Sequence, residues 1–88
     1  MKKQVTLFPS NINITIIGDE DSGELNLWWG NGVYSLFFDE EERLWMFDIE
    51  QSFLLEPSDI ESGFKTVEEA IQILKQRITD NINDTLVD

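Results

Sequence analysis

The 88-residue sequence has no cysteine and no histidine. Without thiols it forms no disulfide and offers no thiolate as metal ligand or nucleophile. Without imidazole it lacks the commonest general base. Its serines sit in no Gly-rich elbow and no phosphate loop is present, so no residue is assigned a catalytic role and an enzyme is not expected. Carboxylates are plentiful, yet a chain this short offers little depth in which to raise a carboxyl pKa. The stretch "DEDSGEL" fails as a calcium loop. Counted from Asp19, its glycine falls fifth and Gly30 falls twelfth, where an EF-hand needs glycine sixth and glutamate twelfth. No metal and no cofactor are expected.

Long apolar runs are missing too, so nothing is expected to span a membrane. The opening "MKKQVTLFPSN" breaks at Pro9, too early for the core of a signal peptide. A small domain without disulfides suits a reducing compartment, and the expected location is the cytoplasm.

Positive charge is scarce: 6 basic residues stand against 18 acidic ones, a formal charge of −12. Such a chain repels nucleic acid and anionic membranes, so neither is an expected partner, and it attracts basic proteins. The charge is uneven. Between Gly18 and Phe64, Arg43 is the single cation among 13 acids.

Between the acidic runs lie alternating apolar segments. "QVTLF" (4–8) reads as a first short strand, and "INITIIG" (12–18) places Ile12, Ile14 and Ile16 on one face. "ELNLWW" (24–29) and "VYSLFF" (33–38) flank "GNG", a hairpin signal. "LWMFDIE" (44–50) follows the acidic turn "DEEER", and "SFLL" (52–55) is a short edge strand or the continuation of one. "TVEEAIQILKQRI" then carries a capping box, Thr66 with Glu69, and an apolar stripe of Val67, Ala70, Ile71, Leu74 and Ile78. The expected fold class is α+β: an antiparallel sheet of four to five strands followed by one amphipathic helix on one face. A single domain is expected, with the sheet over about 4–55, the helix over about 66–80 and a frayed tail over 83–88.

One helix covers one sheet face. Adjacent strand residues point to opposite faces, so Trp28 and Trp29 diverge, as do Phe37 and Phe38. One set of aromatics is core and the other is left to meet something else. Trp28, Tyr34, Trp45 and Phe47 are the expected anchors, since Trp and Tyr are enriched at interfaces. The acids of the two turns, Asp19, Glu20, Asp21 and Glu24 with Asp39, Glu40, Glu41 and Glu42, are the expected docking surface.

The ending "GFKTVEEAIQILKQRI" resembles that of small bacterial sheet-plus-helix proteins, including HicB-type antitoxins with their "G…T-x-E-E-A" pattern. The wider profile, acidic and free of Cys and His with aromatics among the acids, resembles bacterial immunity proteins and phage-encoded inhibitors such as anti-CRISPR proteins. What the resemblance implies is an inhibitory binding protein that occludes a basic toxin, nuclease or other nucleic-acid enzyme. Three alternatives accompany it: a phage inhibitor that mimics nucleic acid, a homodimeric interaction module joined through its aromatic face, and a small-molecule or carbohydrate binder using the Trp face.

Overall fold

The computed structural model describes residues 7–30, 32–48, 55 and 62–85. Among these, four strands form one antiparallel sheet in chain order: β1 (Thr15–Asp19), β2 (Glu24–Trp29), β3 (Gly32–Asp39) and β4 (Leu44–Phe47). A C-terminal helix, α1 (Val67–Thr85), packs on one face. The fold is α+β, as its sequence pattern leads one to expect.

The turns set the register. Two residues separate Trp29 from Gly32, and Gly30 takes the first at φ 58°. Trp28 therefore pairs with Val33, Leu27 with Tyr34 and Leu25 with Leu36. Directly opposed residues share a face. Leu36 pairs in turn with Phe47, and Phe38 with Trp45. One face thus collects Leu25, Leu27, Tyr34, Leu36, Trp45 and Phe47, all buried, and α1 covers them with Val67, Ala70, Leu74 and Ile78. Each fully buried Leu or Phe contributes about 1.5–3 kcal/mol. Phe38 meets Trp45 edge-on at 5.4 Å and Phe47 meets Phe64 edge-on at 5.7 Å, the geometry that ring quadrupoles favour.

The helix begins as its capping box implies, with one difference. Thr66 Oγ1 accepts from the Glu69 N–H at 3.2 Å, but Glu69 Oε2 accepts from the Lys65 N–H, at 3.1 Å, rather than from Thr66 itself. The helix also runs on to Thr85, so residues 83–85 are helical and not a frayed tail. Ile78 and Ile82 extend the apolar stripe beyond Leu74. Asn83 then clamps the Leu7 backbone, its Oδ1 accepting from Leu7 N–H at 3.0 Å and its Nδ2 donating to Leu7 C=O at 3.1 Å.

The beginning of the described chain departs from the strand pattern. Leu7 and Phe8 are not in a strand, and Pro9–Asn11 form a 3-10 turn in which Asn11 N–H donates to Phe8 C=O at 2.8 Å. The Asn11 side chain closes the same turn by accepting from Phe8 N–H. A local bond of this kind competes with strand pairing, so β1 starts only at Thr15. The rest of the expected 4–8 strand, and "SFLL" apart from the buried Leu55, lie outside the described residues. Among the described residues no helix is long and apolar enough to cross a membrane.

Candidate protein-binding surface

An up-and-down meander puts the β1–β2 and β3–β4 turns at the same end of the sheet. The two turns have the same construction. Each has four residues between its last paired positions, Asp19↔Glu24 in one and Asp39↔Leu44 in the other. Each opens on an aspartate that accepts from backbone N–H groups ahead of it: Asp19 Oδ1 from Asp21 at 3.0 Å, and Asp39 Oδ1 from Glu41 at 2.9 Å and Glu42 at 3.3 Å. Aspartate suits this position because its short side chain reaches its own backbone two residues on. Each turn closes on a left-handed residue, Gly23 at φ 78° and Arg43 at φ 56°. The first turn is also tied to β3, where Phe38 N–H donates to Gly23 C=O at 2.9 Å.

The two turns and the strand ends beside them carry eight carboxylates and one cation, Arg43. Asp39, which caps its turn, is half-buried; the other seven acids are exposed. A groove between the turns is lined by Glu20, Asp21, Glu24, Phe37 and Glu40. Such crowding of one sign raises a negative potential that attracts cationic surfaces and disfavours anionic ones. Among the described residues no three acids converge to hold a metal ion.

The sheet face away from α1 runs on from this acidic end. Cross-strand pairing arranges it in rows: Thr15–Trp28–Val33, then Ile17–Asn26–Ser35, then Asp19–Glu24–Phe37–Met46. Trp28 is 39% exposed and Phe37 40%. The row between them is polar at Asn26 and Ser35, whose side chains are hydrogen-bonded at 3.1 Å. Trp28 and Phe37 stand four residues apart along the strand direction, about 13 Å at the usual rise. The open face is therefore two aromatic footholds astride a polar strip. Phe37 is the one that borders the acids.

The expected aromatic anchors divide between the two faces. Trp28 is on the open face, but Tyr34, Trp45 and Phe47 are on the helix face, with exposures of 1%, 8% and 1%. Tyr34 and Phe47 are core, while Trp45, though mostly buried, lines the groove between the acidic turns. Burial pushes the Tyr34 hydroxyl above its ordinary pKa of 10.0 by disfavouring the phenolate. The error is one of parity: Trp28 pairs with Val33, so its face continues through Ser35 to Phe37, whereas Tyr34 pairs with Leu27. Phe37 was missed for the same reason. The two-residue turn after Trp29 carries the signal that finds it, because that turn fixes which residues of β3 lie beside Trp28.

The eight turn acids, by contrast, are gathered at one end of the molecule. No protein-family model matches the chain, and neither does any curated protein or solved structure.

Proposed function

We propose that the chain is an inhibitory binding protein that neutralises a basic protein such as a toxin or a nuclease, in the manner of an immunity protein. The observation that carries this reading is the convergence of two acidic turns, 20 residues apart in sequence, on one end of the sheet beside the exposed ring of Phe37. The carboxylates supply long-range attraction and raise the rate of encounter, and Phe37 and Trp28 supply short-range affinity that salt does not screen.

The test is capture of a partner on immobilised protein, followed by reconstitution with the purified partner. The expected result is one basic protein that stays bound through a high-salt wash, loses its activity in the complex and is released by Phe37→Ser. Binding that vanishes entirely in high salt and ignores Phe37→Ser overturns the inhibitor with aromatic anchors and favours a mimic of nucleic acid. Recovery of nothing basic overturns both.

A further inference from the structure

The two edges of the sheet are finished differently. The outer edge of β4 is closed by Phe64, which exchanges two backbone hydrogen bonds with Trp45 at 2.7 and 2.8 Å. The outer edge of β1 pairs with no described residue, and all five of its residues are exposed. An unpaired edge presents a row of backbone N–H and C=O groups, and proteins ordinarily blunt it with charge, proline, a bulge or a cover. Over Thr15–Gly18 none of these is present among the described residues. Instead β1 offers Ile16, 48% exposed on the helix side, and Ile17, 54% exposed on the open side. The first four residues of this strand, Thr15–Gly18, also close the longest uncharged run of the sequence, residues 4–18 of a chain with net charge −12.

We propose that β1 is a self-association edge, on which a second copy of this chain adds its own β1 antiparallel to make one continuous eight-stranded sheet. Unsatisfied backbone groups in extended conformation specify a strand as the occupant. The uncharged, isoleucine-bearing edge lets a second copy of this acidic chain approach, and the charge distribution sets its direction. In a parallel pair the two acidic ends would stand side by side. In an antiparallel pair related by a two-fold axis normal to the sheet, like faces stay together and the acidic ends point opposite ways. With the axis at Ile17, the more exposed isoleucine, Asp19 of one copy lies four residues along the seam from its mate, about 13 Å at the strand rise. That exceeds the screening length of about 8 Å at physiological ionic strength. The two Ile17 side chains then pair across the seam on the open side, and Ile16 lies opposite Gly18 of the second copy on the helix side. The open aromatic face is a poorer seam, because its polar middle row divides it.

Salt separates this association from capture of a basic partner. Attraction between opposite charges weakens as salt rises, whereas a seam between two acidic molecules tightens. Sedimentation equilibrium of the whole chain, over protein concentration at low and physiological salt, is the experiment. The expected result is a monomer–dimer equilibrium whose dissociation constant falls as salt is raised. Ile17→Glu, at an exposed position, raises that constant by at least about tenfold, since like charges then meet across the axis. Because the chain has no cysteine, Ile17→Cys supplies a second readout: it forms disulfide-linked dimers under mild oxidation, and Asp21→Cys, far from the axis, does not. A mass that stays at 10.2 kDa under all conditions overturns the proposal. So does a dimer indifferent to Ile17→Glu, or one dissolved by Trp28→Ser, which would move the seam to the open face. None of these results bears on a basic partner at the acidic end, which Ile17→Glu leaves intact.

Discussion

The two faces of this sheet carry the same kinds of aromatic ring, offset by one position. Trp45, Phe38 and Phe47 look toward the helix; Trp28 and Phe37 look away from it. Composition does not distinguish the sets, and side-chain chemistry does not either. What separates them is whether a helix lies above. An aromatic ring in a strand is thus structural or available according to register, and register is set by turns that contain no aromatic at all.

That comparison is broken most severely from the helix side. Phe47→Ala removes a buried ring and is expected to cost about 3–5 kcal/mol, a large share of the stability of a domain this size. Its counterpart across the sheet, Phe37→Ala, is expected to cost about 1 kcal/mol or less. Urea unfolding of both variants, followed by tryptophan fluorescence, measures the difference. Equal losses would mean that the open face is also packed.

A smaller effect tests β1, whose outer edge pairs with no described residue. Gly18 sits at φ 125°, and a Cβ there would meet the Glu24 carbonyl at 2.8 Å. Gly18→Ala is expected to cost about 1–3 kcal/mol, read in the same titration, and to loosen β1 before β3.

Tyr34 sharpens the contrast through pH. Its folded pKa is raised by burial, so the folded chain holds that proton more tightly than the unfolded chain does. The stabilisation is complete below the unfolded value near pH 10 and is lost as pH rises above it. Thermal unfolding between pH 8 and 11 is expected to show a decline for the parent chain that is shallower in Tyr34→Phe.

The smallest expected change in stability belongs to Asp39→Asn. The amide oxygen still accepts from Glu41 and Glu42 N–H, so the turn survives and stability moves by about 0.5 kcal/mol or less. One unit of charge is gone, however, and association with a basic partner is expected to slow, most visibly at low salt. Stopped-flow binding against ionic strength separates the two consequences. An unchanged rate would detach the charge from recognition.

Much of this was legible in the sequence, and the reasons are local. The three hairpins follow from alternation broken by short polar turns, and α1 from its apolar stripe and the Thr66–Glu69 box. The acidic turns were readable as a surface because charge on a four-residue turn has nowhere to be buried. What failed was long-range or cooperative. Choosing Tyr34, Trp45 and Phe47 as anchors treated rings as a set, when cross-strand pairing splits them. The extra turns of α1 rest on Asn83 meeting Leu7, a contact no local pattern announces. The loss of strand at Leu7 and Phe8 rests on the turn built by Asn11, a residue whose side chain merely competes with pairing.

The Asn83–Leu7 clamp has a bearing on the order of folding. Each hairpin joins residues near in sequence and pays little loop-closure entropy, whereas this clamp spans 76 residues. The meander is therefore expected to form first, and the last turns of α1 to close over the beginning of the described chain at the end. In the native state the same contact opens first. Amide exchange at Leu7, whose N–H depends on one side chain, is expected to outpace exchange at Leu27 and Leu36 in the middle of the sheet.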